Sequence, residues 1–295
     1  MTALDITPQL DLFHGDATAR LARIYARLPN ASNCKIAGQL RGPQCFHSST
    51  LPATVPFRDQ GPGETLLAAA ILPDPCFWSP EVPALYSAHI ELRSVDATLS
   101  ATERVIGLKA WGARGRFFYD QGKRVVIRGH MRSSDDGSEL LQWHDTPLDM
   151  LAINPCDALC DEASRIGVRI IACLDEQQHQ VAVELRRLAR HAAVTIVAMR
   201  GSLTIDKQLQ QLAPNLLLAR WLAIDDAPTS NDQAEAIIAE VGEPSTFADK
   251  FKHVTCPVVA CRTLGSTIDL VAARAAADQL QADLAPHGDF AGYVV

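Results

Sequence analysis

Two acidic pairs stand directly after apolar runs of strand length and are the first candidates for chemistry. Asp175 and Glu176 follow the run IIACL, and Asp225 and Asp226 follow LARWLAI. Glu240 ends a third such run, AIIAE. Two carboxyl groups about 6.5–9.5 Å apart can act as acid and base around a water molecule, and carboxylate oxygens can also share a divalent metal. The alternative is structural, because Asp175 and Asp225 can also cap the helices that follow them.

Two arginines and two neutral polar residues occupy comparable places in the sequence. Arg200 and Arg262 end apolar runs, and a guanidinium buried at such a place requires an anion. That anion is either an internal carboxylate or an anionic ligand such as a uronic acid or phosphate. The internal candidates are Glu240, Asp225 and Asp175. His130 and Asn154 also stand at the ends of predicted strands and complete the predicted ligand-binding set.

The second half of the chain alternates short apolar runs with helical stretches. The runs that predict strands are 125–128, 150–154, 168–174, 194–199, 216–223, 236–241, 257–262 and 290–295. The stretches that predict helices are 157–166, 178–192, 206–212, 247–253 and 267–284. Most of the strand runs do not alternate, as expected for strands buried on both faces. The order predicts a compact (β/α)8 barrel, in which the carboxyl ends of all the strands, and hence the residues above, share one rim.

The first half predicts a different class of structure. Runs of strand length between 35 and 93 are separated by turns that contain proline and glycine, which is typical of a small antiparallel sandwich. Residues 16–27 fit either a short helix or a strand.

A hairpin is predicted between the two halves. Residues 116–119 and 123–128 are its strands, and Gly122 in the turn allows a positive φ. We therefore predict two domains, a sandwich with an N-terminal extension over 1–112 and a barrel over 113–295.

The stretch from Phe77 to Gly129 carries a family resemblance. A Trp-Ser-Pro-Glu-x-Pro-x-Leu-Tyr segment begins at Trp78, and the hairpin reads FFYDQGKRVVIRG. Together they resemble the junction between the immunoglobulin-like domain and the barrel of family 2 glycoside hydrolases. The resemblance is good over residues 73–129 and weaker over 148–176. It implies an immunoglobulin-like sandwich followed by a (β/α)8 barrel, with a carbohydrate as ligand.

The glutamates that the family implies are missing from the matching positions. The acid/base glutamate of the family follows strand four after an asparagine, where this sequence has Gly201 and Ser202, and only His191 upstream matches. The nucleophilic glutamate follows strand seven, where this sequence has Arg262. A hydroxyl or a guanidinium cannot take these roles, because one position needs a titratable proton donor and the other an anionic nucleophile.

The first hypothesis is therefore a degenerate, non-catalytic relative of the glycoside hydrolases that is associated with carbohydrate or serves as a scaffold. The alternative is an active O-glycosyl hydrolase that uses relocated carboxylates at the barrel rim. Its candidate catalytic residues are Asp175, Glu176, Asp225 and Asp226. A third hypothesis is a structural assembly subunit, because the sequence ends after the eighth predicted strand and no eighth outer helix follows. The surface that this helix covers would then be shielded by the N-terminal segment, the sandwich or a second subunit of a homo-oligomer.

Composition excludes several other classes of function. A net charge of −7 argues against a nucleic-acid partner, which requires a basic face. The sequence has no apolar run of about 18–20 residues and no secretory signal, so neither a membrane partner nor secretion is expected. Its eight cysteines include no C-x-x-C pair, which favours a reduced, cytoplasmic protein. No nucleotide-binding motif occurs and no histidine stands at metal-binding spacing from a cysteine, so we expect neither a cofactor nor a metal.

Overall fold

The computed structural model divides the chain into two compact units, residues 1–109 and residues 110–295. It describes residues 10–29, 34–61, 65–94, 97–132, 139–175, 180–201, 203–228, 233–264 and 268–295.

The first unit is a sandwich of two four-stranded antiparallel sheets. Its strands are β1 Asp11–Ala17, β2 Leu21–Pro29, β3 Lys35–Gln44, β4 Ala53–Pro56, β5 Arg58–Asp59, β6 Thr65–Pro73, β7 Leu85–Arg93 and β8 Thr98–Ile106. One sheet has the order β1-β2-β6-β5 and the other β4-β3-β7-β8. In the letters used for immunoglobulin domains these orders are A-B-E-D and C′-C-F-G. The predicted immunoglobulin-like sandwich is therefore confirmed.

Strand alternation builds the core of this sandwich. On β2, Ala22, Ile24, Ala26 and Leu28 are buried, and the residues between them are exposed or half-buried. The strands β6 and β7 show the same period of two, so both sheets turn one apolar face inward. Residues 16–27, which fitted a helix or a strand, lie in β1, the turn after it and β2.

Tyr86 joins β7 to the segment before it. Its buried hydroxyl accepts a hydrogen bond from the backbone N–H of Cys76 at 2.8 Å and donates to the carbonyl of the same residue at 3.3 Å. This is the arrangement of the tyrosine corner of immunoglobulin-like domains. Burial raises the pKa of Tyr86 to about 12, so the hydroxyl keeps its proton at neutral pH.

Substitution of Tyr86 by phenylalanine should lower the free energy of unfolding by about 1–3 kcal/mol, because the Cys76 N–H loses its acceptor. Urea denaturation of the full chain measures the change. Tyr25→Phe, in the same unit, is the matched control, since the half-buried Tyr25 ring stacks on Phe13 at 5.4 Å whether or not it carries a hydroxyl. Equal losses in the two variants would show that the Tyr86 hydroxyl contributes nothing specific.

The second unit begins with a three-stranded sheet formed by β9 Trp111–Arg114, β10 Phe117–Asp120 and β11 Lys123–Val125. Asp120 pairs with Lys123, and the two residues between them, Gln121 and Gly122, have φ values of 49° and 79°. Two positive φ values identify a type I′ turn, which confirms the predicted hairpin. The predicted second strand over 123–128 is wrong in extent, because β11 ends at Val125 and a new strand, β12, begins at Ile127.

Eight parallel strands then close into a barrel, as predicted. They are β12 Ile127–Arg132, β13 Asp149–Ile153, β14 Ile170–Leu174, β15 Val194–Met199, β16 Leu217–Leu222, β17 Ala236–Glu240, β18 Val258–Cys261 and β19 Gly292–Val294. Alternate residues fill the interior, such as Ile171 and Cys173 on β14 and Ile196 and Ala198 on β15. Phe118 of the hairpin packs against the same cluster.

The helices described outside the barrel are α1 Leu140–Asp145, α2 Asp157–Ile166, α3 Val181–Ala189, α4 Lys207–Leu212, α5 Pro244–Phe251 and α6 Leu270–Leu284. The side chains of Asp206, Glu243 and Asp269 cap α4, α5 and α6, respectively, by accepting a hydrogen bond from the third residue of each helix. Among the described residues, no helix is both long and apolar enough to cross a membrane.

The outer surface beside the last strand is covered by α6. This helix packs against both β12 and β19 and buries Ala273, Ala277 and Leu280. Arg128 of β12 also donates to Asp278 of α6 at 2.7 Å. We expected the sandwich, the N-terminal segment or a second subunit to shield this surface. That expectation is wrong, because α6 covers the surface. The missing eighth helix is therefore no longer a reason to expect an assembly role.

Candidate functional site

The rim at the carboxyl ends of the barrel strands brings Arg200, Trp221 and Glu240 together. Each side chain comes from a different strand end, β15, β16 and β17, and these strands are neighbours in the barrel. Met199 pairs with Arg220 and Trp221 pairs with Ile238, so the strand register places the three residues in sequence along the rim. This is the end of a barrel at which functional side chains gather.

The guanidinium of Arg200 lies over the indole of Trp221. The centre of this guanidinium lies 4.3 Å from the centre of the ring, within the range of a cation–π interaction. Its Nε is buried and has no hydrogen-bond partner among the described residues. The contact with the ring face uses none of the guanidinium N–H donors, and these donors suit a planar anion.

Two thiols of the barrel interior lie near Arg200 but do not supply the anion. Burial raises the pKa of Cys173 to about 11 and that of Cys261 to about 12, although Arg200 lowers both. Both thiols are therefore protonated and neutral at pH 7.

Glu240 binds Trp221 instead of Arg200. Its Oε1 accepts a hydrogen bond from the indole Nε1–H at 3.1 Å. The predicted ion pairs of Arg200 with Glu240, Asp225 or Asp175 are not found, and no described carboxylate forms an ion pair with it. The indole separates the acid from the base.

Trp221 itself was missed by the sequence reading. It stands inside the apolar run LLARWL, where every large side chain is expected to be core. The available signal was its position, two residues beyond the interior residue Ala219, which puts its side chain inside the barrel at the rim.

Asn154 and Asp175 contact each other at the ends of β13 and β14. Asn154 has a φ of 46°, in the left-handed region, and its side-chain oxygen accepts from the backbone N–H of Asp175 at 3.3 Å. Asp175 does not cap the next helix, because the residue before α3 is Gln180. Glu176, its predicted catalytic neighbour, lies outside the described residues.

The second acidic pair divides between two roles. Asp226 accepts from the backbone N–H of Ala223 at 2.8 Å and closes a turn. The predicted helix cap at Asp225 is wrong, because Glu243 caps α5, the next described helix. Asp225 lines a cavity of about 460 Å³ between the β16 end and α5. The other lining residues are Ile224, Glu240, Gly242, Glu243, Thr246, Phe247 and Lys250.

Glu243 is anionic in this cavity but is already engaged. It accepts hydrogen bonds from Ser245 and Thr246, which lower its pKa to about 2. Lys250 donates to the carbonyl of Ile224 at 2.7 Å. Asp225 and Glu240 are therefore the carboxylates of the cavity that helix capping does not occupy.

Two predicted rim residues point elsewhere. His130 lies within β12 rather than beyond it, stacks on Trp143 of α1 at 5.8 Å and contacts the Val295 carbonyl at 2.7 Å. Arg262 donates to Asp283 of α6 at 2.9 Å. The expected position of Arg262 in the barrel mouth is wrong, because Cys261 faces the interior and the next residue must face outward.

His191, which matches the family sequence, also lies outside the mouth. Its ring nitrogens contact Asp161 at 2.9 Å and Asp157 at 3.1 Å, both on α2. Within the described ranges, no group of three or more histidine, cysteine or acidic side chains could hold a metal ion.

No protein-family model matches the sequence, and no curated protein sequence matches it significantly. Solved structures do match. The FMN-binding beta-glucuronidase from Facaelibacterium prausnitzii L2-6 superposes with a TM-score of 0.70 at 12% identity, over 97% of this chain and 55% of that one. The beta-glucuronidase of Bifidobacterium dentium, solved with coumarin-3-O-glucuronide, gives 0.69 at 12% identity, over 97% and 59%. That of Parabacteroides merdae gives 0.60 at 14% identity, over 86% and 38%.

The chain thus spans between about two fifths and three fifths of the length of these enzymes. At these identities the comparison concerns the fold. The architecture of this chain, an immunoglobulin-like sandwich and a (β/α)8 barrel, is that of the family 2 glycoside hydrolases of the beta-glucuronidase type.

Proposed function

We propose that the barrel mouth binds an anionic sugar, such as a uronic acid, and does not cleave it. The observation that carries the proposal is Arg200, held on the Trp221 ring at the end of the fourth barrel strand without a described carboxylate partner. A carboxylate of the ligand would accept two parallel hydrogen bonds from such a guanidinium. The bound glucuronide of the Bifidobacterium dentium enzyme, which has the same fold, supports this choice of ligand.

We propose that the sugar is not cleaved because of the residues at the ends of strands four and seven, where the family carries its two catalytic glutamates. Retaining hydrolysis requires two carboxyl groups about 5–5.5 Å apart. The residues that follow β15 and β18 are Arg200 and Arg262, and a guanidinium neither donates a proton at neutral pH nor attacks a sugar. A non-hydrolysing, carbohydrate-associated relative of the glycoside hydrolases accounts for both positions.

Calorimetric titration with D-glucuronate and D-glucose tests the binding. Glucuronate should bind more tightly than glucose, and Arg200→Gln should weaken glucuronate binding by about 10- to 100-fold, the usual value of a hydrogen bond to a charged group. Arg262→Gln is the matched control, since its guanidinium pairs with Asp283 on the outer layer. Equal binding of the two sugars, or equal losses in the two variants, would contradict the proposal.

A second candidate function is hydrolysis by relocated carboxylates. The observation in its favour is that Asp225 and Glu240 line one cavity at the rim. An inverting mechanism would use one as acid and the other as base. Two residues of the predicted catalytic set, Asp175 and Asp226, make the backbone contacts described above. Asp225→Asn is therefore the variant that distinguishes hydrolysis by relocated carboxylates from binding without cleavage.

A further inference from the structure

We infer that Glu240 is a positioning residue for Arg200 and acts through Trp221, an inference that rests on the proposed function. Neither Glu240 nor Trp221 needs to touch the ligand in this arrangement. The carboxylate fixes the indole, the indole supports the guanidinium, and the guanidinium binds the anion.

The first step is the hydrogen bond that fixes the indole. Trp221 is 5% exposed, and a buried indole N–H requires an acceptor. Glu240 provides a charged acceptor at 3.1 Å, which makes the bond stronger than one to a neutral group. The plane of the ring is therefore set by Glu240.

The second step is the contact between the ring and the guanidinium. Arg200 lies 4.3 Å above the ring, and its buried Nε has no partner among the described residues. The ring face and a hydrogen bond to the Cys173 thiol, rather than a hydrogen bond at Nε, therefore set the orientation of the guanidinium. The hydrogen bond from the indole N–H to a carboxylate also makes the ring more electron-rich, which strengthens the attraction of the ring for a cation.

The third step is that the arrangement prevents a direct ion pair between Glu240 and Arg200. Glu240 and Arg200 flank the same indole, and a direct ion pair between them would use the donors that a ligand needs. Because the indole N–H engages the carboxylate, the guanidinium donors that do not contact the Cys173 thiol stay available for an incoming anion.

Four variants test this chain of contacts by titration with D-glucuronate. Glu240→Gln keeps an acceptor for the indole and should leave the affinity within about threefold, whereas Glu240→Leu removes the acceptor and should weaken binding about tenfold. Trp221→Phe removes the N–H donor and frees Glu240 to pair with Arg200, so it should also weaken binding about tenfold. The double variant Trp221→Phe/Glu240→Gln should recover most of that loss, because no carboxylate is left to capture the arginine.

A spectroscopic readout separates this inference from the proposed function. In the ligand-free protein, the Arg200 Nε–Hε resonance, assigned by comparison with Arg200→Lys, should be shifted by the ring current of Trp221. The shift should persist in Glu240→Gln and change in Glu240→Leu. This pattern supports the positioning role even if glucuronate does not bind. An unchanged resonance in Glu240→Leu, or a double variant that binds no better than Trp221→Phe, would overturn it.

Discussion

Replacement of Arg169 by methionine should lower the free energy of unfolding by about 3–5 kcal/mol. Arg169 precedes β14 at the amino-terminal end of the barrel and donates to Asp149 at 3.1 Å and to Asp120 of the hairpin at 3.0 Å. Its guanidinium also lies 4.2 Å from the centre of the Trp111 ring. Only 7% of the side chain is exposed, so its removal leaves two carboxylates with little access to water.

Urea denaturation of the full chain measures this loss, and Arg165→Met is the matched control. Arg165 pairs with Glu162 on the surface of α2, where both side chains are at least 40% exposed. Such a pair contributes about 0–1 kcal/mol. If the two variants lost similar stability, the buried cluster could not be what ties the hairpin to the barrel.

Replacement of Lys109 by methionine should have the opposite effect and stabilise the protein at pH 7. Lys109 is 7% exposed, and burial lowers its pKa to about 7. The unfolded chain, with an ordinary lysine pKa near 10.4, still binds this proton at pH values where the folded protein has lost it. At about 1.4 kcal/mol for each pKa unit, folding a charged Lys109 costs up to roughly 4 kcal/mol below pH 7.

The sign of the pH dependence follows from the same shift. Between pH 7 and about 10.4 the unfolded state binds more protons at this position than the folded state, so the contribution of Lys109 to stability rises with pH. The gain from Lys109→Met should therefore be largest at pH 7 or below and disappear near pH 10. Urea denaturation of both proteins at several pH values gives the difference, from which all other titrating groups cancel. A gain that is constant with pH would mean that Lys109 is not neutralised in the folded protein.

The sequence predicted those strands and turns whose residues have the local preferences of the structure that they form. The hairpin was predictable because Gly122 accepts the positive φ of a tight turn and stands between two runs of strand length, although Gln121 is not a residue that a type I′ turn favours. The strand β8, Thr98–Ile106, was missed because it is an edge strand with many exposed polar residues, and its pattern resembles that of a loop.

The site was predicted less completely, because buried parallel strands do not reveal which residues face inward. Arg200 faces the mouth, but Arg262, at the end of a similar apolar run, faces α6. A shift of one residue in the alternation of inward and outward side chains decides between these two orientations. A continuous apolar run does not show which of its residues face inward. The same lack of a visible alternation concealed Trp221 among core residues. His130 was placed at the rim for another reason, because the first barrel strand was predicted to end at residue 128 and β12 extends to Arg132.

The fold alone therefore does not determine the function, whereas the side chains of the site distinguish between the candidate functions. A family 2 type of architecture is compatible with binding or with hydrolysis, since function depends on the side chains that a fold carries. Arg200, Trp221 and Glu240 favour binding of an anion, whereas the cavity shared by Asp225 and Glu240 is the feature that would support cleavage.

A single-turnover measurement with 4-nitrophenyl β-D-glucuronide, with the protein in excess, distinguishes binding from cleavage most directly. We predict a saturable change in intrinsic tryptophan fluorescence that is lost in Arg200→Gln, with no release of 4-nitrophenolate. Stoichiometric release of 4-nitrophenolate that disappears in Asp225→Asn or Glu240→Gln would contradict a non-cleaving site and establish relocated carboxylates as the catalytic pair.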